Sequence, residues 1–283
     1  MAGHGRMAVE SCTCDHRPVA SLETSAVARL PGGTLDYTLR RSDRARGVRV
    51  VIHPQRGIVV TVPARRSAGT AGERQAAAFL VEREPWVRRH LAHQEATAAE
   101  IQARGGARDG GTVPYLGRLH AVRVVPAVSG LRRSHVVHLD AAEGDGDVDH
   151  LVIHRVGADR RSDARILEGW LRIAARTVID GEVARHARAL GVMPVAVGLR
   201  DPRSRWGSAS RAGRLSFSWR LILAPPEVLE TVVIHELAHL RVFGHGPAFW
   251  ALVASRRPDH RVWRRWLHDH AAELHGALGD ERG

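Results

Sequence analysis

The alternation of apolar and polar residues changes character about halfway along the chain. Up to about residue 157, short runs rich in β-branched residues alternate with turn signals, which predicts strands. A helix over about 73–103 interrupts them. The first three strands are expected to form an antiparallel meander. The predicted strands cover 35–40, 48–52, 57–63, 113–116, 120–125, 136–139 and 151–156.

From Asp163 onward the apolar residues fall at three- and four-residue spacings instead. This spacing predicts a helix over about 163–189, ended by Gly191. A second helix is predicted from Pro226, with Gly244 as its stop, and a third from Pro247.

This change of pattern predicts the fold class and the domain organisation. We expect an α+β protein with a β-rich half over about 34–157 packed on a mainly helical half over about 163–276. The two halves are predicted to form one domain, 31–276. Residues 1–30 are small and polar without periodicity, and they are predicted to be a disordered tail, as are residues 277–283 at the other end.

Charge raises the question of a polyanionic partner. The formal net charge is +12 and the sequence pI is about 11.3. All 42 Lys+Arg residues are arginine, and they are spread over the whole chain. This favours a generally basic surface over a dedicated site, so nucleic acid is a possible partner but not the favoured one.

Other features of the composition indicate an ordinary globular protein. No apolar run approaches the ~18 residues of a membrane span, and the N-terminus lacks the apolar segment of a secretory signal, so a cytoplasmic location is expected. Two cysteines, Cys12 and Cys14, exclude a disulfide framework. The sequence makes no prediction of an oligomeric state.

A short motif in the helix predicted from Pro226 contains the candidate metal-binding and catalytic residues. His235 and His239 are four residues apart, so they lie about 40° apart around a helix and project from one face. Two such imidazoles can share one Zn²⁺. Glu236 is offset by about 100°, which suits a general base beside the water that the zinc activates. The alternative is a buried helix whose histidines are satisfied by other partners, which is costly in such an apolar stretch.

A third ligand is needed, and His245 is the candidate. A continuous helix would carry it about 15 Å along the axis from His235, too far for a shared ion. The chain is therefore expected to turn back, and Gly244 stands where such a turn would occur. We predict one Zn²⁺ per chain, held by His235, His239 and His245.

Further motifs accompany the histidine motif, namely Arg205-Trp206-Gly207-Ser208, Leu215–Leu221, Ala224–Glu227, Phe249-Trp250 and Pro258-Asp259. Together these motifs resemble those of the YgjP-like metallopeptidase family, which is related to the SprT-like and WLM zinc proteases. With weaker matches upstream, the likeness covers about residues 34–272. The resemblance implies a zincin-like arrangement in the helical half. It also implies that an extended substrate peptide lies along the edge of the predicted strand 215–221.

Other positions bear on activity. Ala209 stands where the family usually has cysteine, but the zinc mechanism needs no thiol. His260 stands where the family often has tyrosine, and it is a candidate transition-state contact. Arg205 is expected either to contact the substrate or to pair structurally, for example with Asp201.

The expected function is zinc-dependent hydrolysis of peptide bonds, with a zinc-activated water and Glu236 as general base. The substrate is expected to be a peptide or protein. Two alternatives stay open: a DNA-associated SprT-like protease, and a non-catalytic polyanion-binding protein with a structural zinc. Four protein ligands would favour a structural zinc, whereas three ligands and an open position favour catalysis. The tryptophans in the basic run 261–268 are expected to pack rather than to bind nucleic acid.

Overall fold

The protein is α+β, as the sequence predicted, with most strands before Asp163 and most helices after it. The computed structural model describes residues 22–53, 56–66, 70–141, 148–202 and 205–279. The predictions for the tail up to residue 21, with Cys12 and Cys14, and for residues 280–283 lie outside the described residues. Backbone contacts divide the chain into two compact units, within His16–Ala99 and Glu100–Gly283, and the single domain over 31–276 stays a prediction.

The unit within His16–Ala99 contains a four-stranded sheet in the order β1-β2-β4-β3. Strands β1 and β2 form an antiparallel hairpin, β2 pairs with β4 in parallel, and β3 pairs with β4 antiparallel. The predicted meander is therefore wrong, because β4 lies between β2 and β3. The strands are β1 (Leu22–Leu30), β2 (Gly33–Ser42), β3 (Arg49–His53) and β4 (Gly57–Pro63).

Strand β1 also corrects the predicted tail, because residues 22–30 are paired along their whole length with β2. Ala28 and Leu30 are buried in the unit's core, whereas Val27 is exposed. Helix α1 (Ala71–Ala103) contributes Leu80 and Val87 to the same core.

The unit within Glu100–Gly283 begins with a second four-stranded sheet, in the order β5-β6-β8-β7. Helix α2 (Asp163–Leu190) follows it. This helix begins after Ser162, whose hydroxyl accepts a hydrogen bond from the Arg165 N–H, and it ends at Gly191 with a left-handed φ of 63°. Its predicted extent is confirmed. The sequence could predict both ends because each has a local capping signal. The strands are β5 (Thr112–Tyr115), β6 (Arg118–Pro126), β7 (His135–Leu139) and β8 (His150–Arg155).

A three-stranded sheet and four helices complete this unit. The sheet has the order β10-β11-β9, with β11 paired on both sides. The predicted strand 215–221 is shorter than expected, because residues from Trp219 form a 3-10 turn (Trp219–Leu223). The elements are β9 (Ala196–Arg200), β10 (Gly207–Ala209), β11 (Arg214–Ser218), α3 (Pro226–Ala238), α4 (Pro247–Arg256), α5 (His260–Asp269) and α6 (Ala271–Gly276).

Helix α3 is buried on nearly all sides. Val228, Val233 and Leu237 lie in the core that contains α2 and the fully buried Trp219. Ile234 and Ala238, on the other side of the helix, pack against α4. Because the helix is fixed on two sides, its polar side chains have little freedom. Among the described residues, no helix is both long and apolar enough to cross a membrane.

Candidate metal centre

Helix α3 ends earlier than the sequence predicted. Its last residue is Ala238, and His239 is the C-cap. The chain then turns, with hydrogen bonds from Leu240 N to Leu237 O (3.0 Å) and from Val242 N to Ala238 O (2.9 Å). The prediction that Gly244 ends the helix is thus wrong, because the apolar pattern continues into the turn. Gly244 lies further along this turn, with a positive φ of 88°.

The turn brings three histidines together. The Nε2 atoms of His235 and His245 lie 3.2 Å apart. The ring centroid of His239 is 4.9 Å from that of His235 and 4.7 Å from that of His245. One nitrogen from each of the three rings lies within 4.8 Å of the others. Three imidazole nitrogens at this spacing can point at one ion.

The packing around the rings orients them. Phe249, at the start of α4, is fully buried, and its ring lies 4.4 to 4.9 Å from each of the three histidine rings. The Nδ1 atom of His239 lies 3.4 Å from the Val242 carbonyl oxygen, which accepts its hydrogen. This contact leaves Nε2 as the atom available to coordinate a metal.

The protonation states suit a metal. Burial lowers the pKa of His235 well below 6.5 and lowers the pKa of His239 and His245 too. The rings are therefore neutral near pH 7, which is the form that binds metals. Within the described residues, the buried His239 Nε2 has no hydrogen-bond partner. A metal would satisfy this nitrogen, so these residues fit such an ion.

Glu236 lies against strand β10. Its side chain is buried, and a Cβ atom at Gly207 would lie 2.6 Å from its Oε1 atom. Only glycine allows the carboxylate this close to the strand. Gly207 belongs to a motif seen in the sequence, but its contact with Glu236 could not be predicted, because the two residues are far apart in the chain.

The prediction that a substrate peptide lies along the edge of strand 215–221 is wrong. Strand β11 contains residues of the predicted edge, but it is paired on both sides, with β9 and β10. The outer strand nearest to Glu236 is β10.

The two other predicted site residues have different surroundings. His260 is buried, and its ring stacks on Trp250 at a centroid distance of 5.3 Å. Trp250 in turn lies 5.7 Å from the rings of both His235 and His245. Arg205 is exposed and lies just before β10. Asp201, considered as its partner, accepts hydrogen bonds from Arg220 at 2.8 and 3.2 Å.

The tryptophans of α5 are packed, as the sequence predicted. Trp263 donates a hydrogen bond of 2.7 Å from Nε1 to Asp259, and Trp266 stacks on His270 at 4.0 Å. Trp266 also packs against the core.

A second group, Glu182, His186 and Glu230, also brings possible metal ligands together between α2 and α3. Two arginines already contact its carboxylates. Arg185 binds Glu182 and lies 3.1 Å from Glu230, and Arg257 lies 2.8 Å from Glu230. Because these cations offset the negative charge, the group is an ion-pair network rather than a metal site.

Buried histidines beside a glutamate, on one helix of an α+β fold, are the arrangement of a metallopeptidase. The chain belongs to the YgjP-like metallopeptidase family, whose profile, described as a YgjP-like metallopeptidase domain, matches residues 46–270. No curated protein matches the sequence significantly.

One solved structure is similar, that of the metallopeptidase zymogen of Pyrococcus abyssi abylysin. The match has 21% sequence identity and a TM-score of 0.30, and it covers 32% of this chain and 92% of that chain. A likeness this weak supports no conclusion about fold or function.

Proposed function

We propose that the protein is a zinc peptidase in which His235, His239 and His245 hold one Zn²⁺ and Glu236 is the general base. The observation on which this rests is the grouping of three neutral imidazoles beside a buried carboxylate in a chain of this family. When bound, zinc supplies Lewis-acid activation of a water molecule and of the scissile carbonyl.

The chain's own residues supply the remaining chemistry. Glu236 accepts a proton from the attacking water and returns it to the leaving amine. Its place against Gly207 keeps the carboxylate beside β10, the outer strand along which an extended peptide would add as a further strand. Arg205 and His260 are proposed substrate or transition-state contacts, since Arg205 is exposed beside β10 and His260 packs on Trp250.

The number of ligands favours catalysis over a structural zinc. Among the described residues, the group contains three histidines and no fourth His, Cys, Asp or Glu. A three-ligand zinc keeps a position open for water or substrate, whereas structural zinc sites are closed by four protein ligands.

The first test is metal analysis. We expect about one zinc per chain, lost in His235→Ala, His239→Ala and His245→Ala, because each change removes one of three ligands. His268→Ala is the matched control, since this histidine is exposed on α5 and should leave the zinc content unchanged. Full zinc retention in His245→Ala would remove His245 from the proposed site.

The second test separates metal binding from catalysis. Glu236→Gln should keep its zinc and lose at least about 10²-fold in peptidase rate, because the nearly isosteric amide cannot accept a proton. Glu227→Gln, a change of the same kind in the first turn of α3, should retain the rate. Equal turnover in Glu236→Gln and wild type would contradict the assigned mechanism.

A further inference from the structure

Arg264 lies beside the candidate metal centre on helix α5. Its guanidinium carbon is 4.2 Å from the centroid of Trp250, the ring that also lies 5.7 Å from His235 and His245. His260 stacks on the same tryptophan with its plane tilted by 9°. Arg264 follows His260 by four positions, so both lie on one face of α5. Trp250 therefore holds a cation and an imidazole next to the proposed metal ligands.

Arg264 has no counter-ion within the described residues. No Asp or Glu among them forms an ion pair with its guanidinium, and Asp259, which precedes α5, is bound to Arg257 at 3.0 Å. The side chain is half-buried, and burial together with Arg261 lowers the pKa of Arg264. A guanidinium withdrawn from water without an anionic partner is costly, so a bound anion would stabilise this arrangement.

His260 has an unsatisfied nitrogen as well. Only 4% of the residue is exposed, and its Nδ1 atom has no hydrogen-bond partner among the described residues. Within the described residues, a guanidinium without a counter-ion and an imidazole nitrogen without a hydrogen-bond partner thus occur together on the face of α5 that packs on Trp250.

The charge of the centre indicates which ligand belongs there. The three-histidine group includes no carboxylate ligand, so a bound divalent cation together with Arg264 gives the site more positive groups than the one carboxylate of Glu236 can offset. An excess of positive charge at a site attracts anions. In peptides the anionic groups are carboxylates, and the planar guanidinium fork matches a carboxylate with two parallel hydrogen bonds.

We propose that Arg264, with His260 beside it, forms an anion subsite that selects peptides carrying a carboxylate close to the scissile bond. This inference rests on the peptidase function proposed above. The carboxylate is either the side chain of Asp or Glu or the free C-terminus of the peptide. Both present the same chemistry to Arg264, and the test distinguishes them.

Cleavage profiling gives the first readout. The zinc-loaded protein is incubated with a library of tryptic peptides from a whole proteome, as free acids and after C-terminal amidation, and cleavage sites are read by mass spectrometry. We expect enrichment of Asp and Glu at one fixed position, or of cleavage at a fixed distance from the free C-terminus that amidation abolishes. The enrichment should fall about tenfold in Arg264→Met and be partly kept in Arg264→Lys, which retains the charge. Arg265→Met, which removes the adjacent exposed arginine, should cleave with the wild-type profile.

Binding gives a second readout that needs no turnover. Zinc-loaded Glu236→Gln, with and without Arg264→Met, is titrated by calorimetry with acetyl-tetra-alanine as free acid and as amide. The same proteins are titrated with acetyl-Ala-Ala-Glu-Ala-Ala amide and its Gln counterpart. We expect at least one carboxylate probe to bind about tenfold more tightly than its neutral counterpart, and this preference to disappear in Arg264→Met.

The outcomes separate the two proposals. Cleavage that does not depend on a carboxylate in the peptide, together with equal binding of charged and neutral probes, would overturn the proposed anion subsite. It would leave the peptidase function in place. A carboxylate preference that survives in Arg264→Met would also overturn it. Absence of cleavage in wild type would instead contradict the peptidase function, and the calorimetric comparison would then decide on the subsite alone.

Discussion

Glu236 can lie against strand β10 because residue 207 has no Cβ atom. An added Cβ would lie 2.6 Å from Oε1 and 2.7 Å from Cγ of Glu236, closer than real Cβ contacts allow. The carboxylate would have to move, while His235 and His239 are held by Phe249. Gly207 is therefore a positioning residue for the proposed general base.

We predict that Gly207→Ala keeps about one zinc per chain but loses about 10- to 10²-fold in rate, since a displacement of about 1 Å can cost that much. The fall should appear in kcat rather than in KM, because the metal and the substrate edge are unchanged. Gly198→Ala is the matched control, because Gly198 lies in the same sheet and the nearest atom to an added Cβ would be 3.8 Å away. Equal kcat values for the two variants would contradict the positioning role.

The residues of the candidate site differ in whether the sequence alone could identify them. His235, His239 and Glu236 could be identified because their spacing in one predicted helix determines which side chains lie close together. Gly207 and Arg264 could not, because their contacts with Glu236 and Trp250 depend on how separate elements pack. The roles of all these residues in metal binding and catalysis stay predictions.

At the scale of elements, the turn after α3 determines the position of His245. Gly244 has a φ of 88°, a conformation that costs an L-residue about 1–2 kcal/mol. Gly246, two residues later, has a φ of −74°, which any residue adopts. The two glycines flank His245 and differ in the backbone freedom that they need.

We predict that Gly244→Ala weakens zinc binding about tenfold, because the strained turn holds His245 less well in line with His235. Gly246→Ala should bind zinc as wild type does, since nothing lies within 4 Å of an added Cβ there. Competition with a chromogenic chelator measures both affinities. Equal affinities for the two variants would show that this turn does not control the third ligand.

The sequence could predict those helices whose first and last residues are determined by capping residues nearby in the chain. Helix α2 was predicted almost to the residue, because Ser162 and Gly191 cap it. Helix α3 was predicted too long, because Leu240 and Val242 continue the apolar spacing into the turn that returns His245. The pairing of β2 with β4 was missed, because strand order depends on contacts distant in sequence.

At the scale of the whole molecule, buried neutral histidines link stability to pH. Burial lowers the pKa of His120 and of His186 from 6.5, and the unfolded chain titrates near that value. As the pH falls through 6.5 toward the lowered folded-state pKa values, the unfolded chain takes up protons that the folded chain excludes. Acidification in this window therefore favours unfolding.

We predict that the free energy of unfolding of the metal-free protein is constant above about pH 7 and decreases as the pH falls below 6.5. Urea denaturation at a series of pH values between about 5 and 8 measures it. His268→Ala, at an exposed position, should reproduce the wild-type pH dependence. A free energy of unfolding that rises on acidification in this range would contradict the lowered pKa values.

The net charge of +12 leads to the last prediction, which separates the peptidase from the polyanion-binding alternatives. The tryptophan rings of α5 already have partners within the protein, since the Arg257 guanidinium lies 5.7 Å from the Trp263 ring centroid and Trp266 is stacked on His270, so they are poor stacking platforms for bases. Binding to nucleic acid should then come from diffuse charge alone. Such binding is weak, with a Kd of about 10⁻⁴–10⁻⁶ M at physiological salt, and it falls steeply as salt increases.

We therefore expect DNA binding that is indifferent to sequence and strand form and equal in wild type and His235→Ala, because a diffuse field does not depend on the metal. Salt titrations with duplex and single-stranded oligonucleotides measure it. Sub-micromolar binding that persists at physiological salt, with a strong preference for one strand form, would indicate a dedicated site. The first variants to make would then be at Arg261 and Arg265, which are exposed on α5. If the same DNA also stimulated proteolysis, a DNA-recruited protease would explain the charge and the metal centre together.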